Sequence, residues 1–204
     1  MHPDAEKLLA EYPNIEMVEA FITDCNGAAR GKWLPIEKLS SLLTEGIKLP
    51  KSAIAQDAWG RDVPSIALDN GDIDGWCQAI PGSLKPVLGS HGVDQAQVVL
   101  TMFKDDGSPL LSDPRQVLAH VSHALEAKGL YPRVAIELEF NLFDRQTADQ
   151  SIRDALPKES QTGGNLYGLT ALDEHQSLLE TLREYFGTQN LPYEGVLKEA
   201  APAQ

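Results

Sequence analysis

The sequence predicts an α+β fold in two successive domains, and three observations carry that reading. Two apolar-rich stretches, residues 15–23 and 28–34, flank Asn26-Gly27, a dipeptide that tolerates positive φ and closes tight hairpins. The run Gln97-Val98-Val99-Leu100-Thr101-Met102-Phe103 favours a strand and ends in the turn sequence Asp105-Asp106-Gly107-Ser108. Ser112-Asp113-Pro114 then reads as a helix start, with Asp113 as the cap and Pro114 at the first helical position.

Taken in order, residues 4–11 form a short helix stopped by Pro13, and 15–23 form a strand. Asn26-Gly27 turns the chain into a return strand over 28–34, and Pro35 opens a short helix reaching Leu43. The stretch 46–92, rich in Gly, Pro and Asp, reads as short strands joined by loops. After the 97–103 strand the composition changes, placing a first domain at 1–108 and a second at 109–204. Val117, Val121, Ala124 and Leu125 give helical apolar spacing, and Gly129 ends that helix. A strand is expected over 133–143 and a loop over 146–170. Asp173 with Gln176 resembles a capping box for a helix reaching Tyr185, and a last strand is expected over 193–200. There are no internal repeats.

The bulk numbers exclude several classes. With 204 residues, 42% hydrophobic and 23% charged, the chain suits a globular fold with its own core. No run approaches the ~20 apolar residues that cross a bilayer, and no basic-then-apolar leader opens the sequence. A formal net charge of −13 repels phosphate backbones and disfavours nucleic acid as a partner. Cys25 and Cys77 match no paired metal-ligand spacing and read as two reduced thiols, which sets the expectation of a cytoplasmic protein.

The stretch Val134-Ala135-Ile136-Glu137-Leu138-Glu139-Phe140-Asn141-Leu142 carries the candidate chemistry. In a strand, Val134, Ile136, Leu138, Phe140 and Leu142 share one face, while Glu137 and Glu139 project together from the other, ~7 Å apart. If that face lines a cleft, two adjacent anions call for a divalent cation, and oxygen donors suit Mg²⁺ or Mn²⁺. A half-exposed strand with a wetted acidic face satisfies the same pattern, and pattern alone does not separate the two.

Several decoys fall away. Gly27 to Lys32 has three residues between its glycines and Trp33 after its lysine, so it is no phosphate loop. The segment from Asn70 to Gly75 lacks the glutamate that closes a calcium loop, having Pro81 there. His120 and His123 have no third ligand nearby, and Trp33, Trp59 and Trp76 read as packing rings.

Three segments together resemble the glutamine synthetase family, in its γ-glutamyl-polyamine ligase branch. The run Glu137-Leu138-Glu139-Phe140-Asn141-Leu142-Phe143-Asp144 resembles the family's E-x-E-F-x-L-F-D motif. Gly27-Ala28-Ala29-Arg30-Gly31-Lys32 resembles the N-terminal hairpin of that branch. The segment from Glu194 through Lys198-Glu199-Ala200-Ala201 to Gln204 resembles the E-x-x-x-x-E-x-A-x-x-Q segment.

The resemblance implies a β-grasp-like N-terminal domain packed against the catalytic domain of a neighbouring subunit in a ring-stacked homo-oligomer. It implies the incomplete opening of an α/β catalytic domain, ATP as co-substrate and Mg²⁺ or Mn²⁺ as cofactor. The implied reaction joins the γ-carboxylate of glutamate to an amine through γ-glutamyl phosphate. By position, Glu139 and Glu199 share one metal, Glu137 belongs to another, and Glu194 approaches the nucleotide. A regular strand points Glu194 and Glu199 to opposite faces, so Glu194 either precedes the regular strand or is structural.

Two departures shape the expectation. Where ammonia-using members carry an Asp-Gly-Ser-Ser loop, this chain has Leu49-Pro50-Lys51-Ser52-Ala53-Ile54, which favours a larger amine. The family's later metal, glutamate and phosphate ligands have no counterpart up to Gln204, so the isolated chain is expected to be inactive and to self-associate. The alternative is a non-catalytic protein that associates with full-length ligase subunits.

Overall fold

The computed structural model describes residues 1–67, 72–89, 92–143, 165–201 and 203–204. They fall into two compact units, Met1–Pro132 and Arg133–Gln204.

The first unit is built on a mixed six-stranded sheet. Helix α1 (Pro3–Glu11) starts where His2 Nδ1 accepts a hydrogen bond from the Asp4 amide. Strand β1 (Met17–Thr23) alternates buried and half-buried residues, as a strand packed on one face must. It pairs antiparallel with β2 (Ala29–Pro35) from Met17–Pro35 to Thr23–Ala29. The hairpin turn has Gly27 at φ +80°, a conformation that costs glycine nothing. A 3₁₀ turn (Ile36–Lys38) leads into α2 (Leu39–Glu45).

Gly46 follows at φ +73°, and a Cβ there would lie 2.1 Å from the Cys77 carbonyl, so only glycine lets α2 turn into β3 (Ile47–Pro50). After a second 3₁₀ turn (Lys51–Ile54) and helix α3 (Pro64–Ala67) come β4 (Asp74–Ala79), β5 (Lys85–Gly89) and β6 (Gly92–Phe103).

Strand order is β2-β1-β6-β4-β3, with β5 also on β6. The long β6 runs parallel to β1 and antiparallel to β4 and β5. Gln97 is opposite both Glu19 and Lys85, so β1 and β5 occupy opposite edges of β6. Lys32 Nζ on β2 donates to the Lys48 carbonyl on β3 at 3.3 Å, although those strands end the strand order on opposite sides. The sheet therefore curls strongly, in keeping with the handed twist of strands. Val18, Ala20, Ile22, Ala96, Val98, Leu100, Met102 and Cys77 form the core with Leu8 of α1 and Leu39 and Leu42 of α2.

Helix α4 (Pro114–Glu126) is fixed to this sheet by its cap. Asp113 Oδ1 accepts from the Arg115 amide at 2.8 Å, and Oδ2 accepts from the Met102 amide at 2.6 Å and the Thr101 hydroxyl at 3.0 Å. Gln116 Nε2 donates to the same hydroxyl. The expected cap is present, and it also bolts α4 to β6.

The second unit contains α5 (Leu169–Glu174) and α6 (Gln176–Thr188). Three expectations are corrected here. Residues 133–143 do not form a strand, and neither do 193–200. A strand exists only through its ladder to a neighbour, and no neighbouring strand pairs with either segment among the described residues. Asp173 does not cap α6 either: it lies inside α5, and Gln176 reaches forward to Glu180 Oε1 at 2.7 Å instead of back. The loop expected over 146–170 falls largely outside the described residues, as do Asp144 and Gly163-Gly164.

Candidate functional site

The candidate carboxylates sit on two segments of the second unit. Residues 134–138 expose both of their alternating sets, with Val134 83%, Ile136 82% and Leu138 73% exposed. The shared apolar face that a strand would bury is thus exposed, because the segment lacks the paired sheet that would define an inside. Glu137 and Glu139 are likewise exposed.

One contact nevertheless reaches across the sequence. Glu139 Oε2 accepts a hydrogen bond from Gln204 Nε2 at 2.9 Å, over a separation of 65 residues. The Gln204 carbonyl in turn accepts from the Glu199 amide at 3.1 Å, and Leu142 N–H donates to the Ala203 carbonyl at 2.8 Å. Glu199 Oε2 accepts from the Ala200 amide, so its carboxylate folds back over the same turn. Glu139 and Glu199, assigned to one cation by position, are therefore joined through a single residue, Gln204. Neither Glu137 nor Glu194 bonds to this group among the described residues, and Glu194 is exposed.

Chemically, the two carboxylates offer hard oxygen donors suited to Mg²⁺ or Mn²⁺ rather than to zinc or copper. The donor type fits. The number does not fill a six-oxygen shell, and no grouping of three or more His, Cys, Asp or Glu side chains occurs among the described residues.

Sequence reasoning assigned no role to Gln204 or Lys198. Lys198 is 9% exposed, and its ammonium donates to the Glu199 carbonyl at 2.5 Å and the Ala201 carbonyl at 2.8 Å. A lysine beside a motif glutamate carries no pattern that distinguishes it from a surface lysine. A surface cavity of about 270 Å³ beside Leu172, Gln176 and Tyr193 shares none of these residues.

The segment that departs from the ammonia-using pattern lies in the first unit. Lys51–Ile54 is a 3₁₀ turn, and the next acid, Asp57, bonds to its own loop. Its Oδ1 accepts from the Trp59 and Arg61 amides, and its Oδ2 from Arg61 Nε at 2.8 Å. The Arg61 amide bond first, then those from the Trp59 amide and the Arg61 side chain, outweigh desolvation and hold this carboxyl below its usual range. Asn26 Nδ2 ties the hairpin tip to the Gln56 and Asp57 carbonyls.

Residues 111–204 match the family described as glutamine synthetase, catalytic domain. The chain is 33% identical over 207 residues to γ-glutamylputrescine synthetase PuuA of Escherichia coli (strain K12), covering 98% of this chain and 43% of that protein. It is 27% identical to γ-glutamylethanolamide synthetase GlnA4 of Streptomyces coelicolor, over 94% of this chain and 42% of that protein. The fold is similar to that of a GmaS/ADP complex, with a TM-score of 0.66 at 15% identity, covering 100% of this chain and 43% of that one. The chain spans less than half the length of each of these proteins.

Proposed function

We propose, for a chain whose residues 111–204 belong to the glutamine synthetase family, that the protein is an ATP-dependent ligase joining the γ-carboxylate of glutamate to an amine or polyamine. The observation that carries this reading is the 33% identity to a γ-glutamylputrescine synthetase, which runs through both units and not only the family-matched part. The absence of an acid from Lys51–Ile54, with the following Asp57 tied to Arg61 and Trp59, supports the choice of a larger amine.

In this reading Glu139 and Glu199 hold one Mg²⁺ or Mn²⁺, Glu137 contributes to a second, and Glu194 lies toward ATP. When bound, the cations neutralise phosphate charge during transfer. Gln204 orients Glu139 by donating to its Oε2. The remaining oxygen ligands come from elsewhere in the assembled protein. The N-terminal domain, 1–108, is β-grasp-like, the catalytic domain begins near 109, and the protein works as a cytoplasmic homo-oligomer.

The test is ADP release by a version extended to the full length of its relatives, with glutamate, Mg²⁺ and a panel of putrescine, ethanolamine and ammonia. Turnover with the organic amines is expected, reduced at least 100-fold by Glu139→Gln. Turnover with ammonia alone would overturn the assignment of acceptor. The partial donor set among the described residues favours a second reading, a non-catalytic protein that associates with full-length ligase subunits. Co-purification with such a subunit, without amine-dependent turnover, would select it.

A further inference from the structure

A lysine is almost never buried unless its charge is compensated, because an ammonium stripped of water is unfavourable without partners. Lys198 is buried and has no carboxylate within ion-pair distance among the described residues. Its compensation comes from the main chain: the carbonyls of Glu199 and Ala201 both point at Nζ. The turn so gathered closes on itself, with Glu199 N–H bonded to the Gln204 carbonyl and Gln204 N–H bonded to the Ala201 carbonyl. It is fastened outward by Leu142 N–H on the Ala203 carbonyl and by Gln204 Nε2 on Glu139.

Two carboxylates brought near one turn repel each other, and a cation fixed inside that turn offsets the repulsion. Carbonyl oxygens that would otherwise splay outward are held inward by the same group. We propose that Lys198 is a positioning residue, the internal cation that gathers the Glu199 and Ala201 carbonyls and so keeps Glu199 and Glu139 on one site. What this does for metal binding rests on the ligase reading; the shape of the turn does not.

Residue-resolved hydrogen exchange on the full chain, with Lys198→Met and Lys198→Arg, tests this. In Lys198→Met the Glu199 and Leu142 amides should exchange at least tenfold faster, with the α6 amides and the β6 amide of Val98 unchanged. Lys198→Arg, whose guanidinium also reaches two carbonyls, should restore protection. Mn²⁺ alone, added to the wild type, should broaden the Gln204 side-chain amide signals, and should do so less in Lys198→Met. Unprotected Glu199 and Leu142 amides in the wild type would overturn the proposal. So would unchanged exchange in Lys198→Met, loss of α6 protection along with the turn, or failure of Lys198→Arg to rescue. If the exchange pattern holds while Mn²⁺ broadens nothing in the wild type, Lys198 keeps its positioning role and the metal assignment fails by itself.

Discussion

At the scale of single residues, the buried Asp24 shows how a charge is kept inside the first unit. Burial pushes its carboxyl up, but hydrogen bonds from the Ala28 amide, the Arg30 side chain and the Asn26 amide outweigh that and hold it below the usual range. Arg30 Nε lies 3.0 Å from Oδ2. A carboxyl depressed on folding adds stability that is fully present above its unfolded value of about 3.9 and is lost as pH falls through the folded value. Asp24→Asn should therefore lower stability at pH 7, and its difference from wild type should shrink as pH falls below the carboxylate range. Urea denaturation of both proteins across that range measures this, and a pH-independent difference would contradict it.

Cys77 follows the opposite logic. Burial first, then the nearby charge of Asp113, push its thiol up to about 12. The thiolate is the reactive form, and roughly one part in 10⁴ is ionised at pH 8 for such a group. Cys25 is exposed. Titration with a disulfide reagent at pH 8 should modify one thiol per native chain rapidly and the second only after unfolding.

At the scale of elements, α4 depends on one side chain. Asp113→Ala removes a helix cap and leaves the buried Met102 amide without its acceptor. These losses should together cost roughly 2–4 kcal/mol, read as a lowered urea midpoint at unchanged m-value. Asp113→Asn, which keeps an acceptor, should cost less.

The same contrast explains what the sequence could reveal. The α4 cap and the β1–β2 turn are specified by neighbours in sequence, Asp113-Pro114 and Asn26-Gly27, and both were legible. The parallel pairing of β1 with β6 is not local, and nothing in either strand announces it. Residues 133–143 have the alternation of a strand, yet alternation states only which residues would share a face once a partner exists. The capping box at Asp173 failed because α5 already occupies that aspartate. At the candidate site, Glu139 and Glu199 are singled out only by resemblance to the family's motifs, whereas their link through Gln204 is a contact over 65 residues that no local pattern encodes.

At the scale of the whole molecule, the distribution of apolar surface decides how the chain behaves in water. The core gathers around the sheet of the first unit, while Leu118 and Val121 on α4 are 62% and 49% exposed, and Val134, Ile136 and Leu138 are exposed more fully still. Residues 134–138 pair with no strand among the described residues, so their exposed main chain is open to pairing with other chains. A net charge of −13 opposes association through long-range repulsion, but salt screens that repulsion over about 8 Å at physiological ionic strength. Burial of apolar surface is short-ranged and is not weakened by salt in this way. The chain should therefore self-associate as concentration rises, and more strongly at 0.5 M NaCl than at low salt. Light scattering coupled to size exclusion measures this directly. Ile136→Glu with Leu138→Glu should restore the monomer without lowering the urea midpoint, since neither side chain supports the core. A wild-type chain that stays monomeric at high salt and high concentration would mean that these faces are covered in solution.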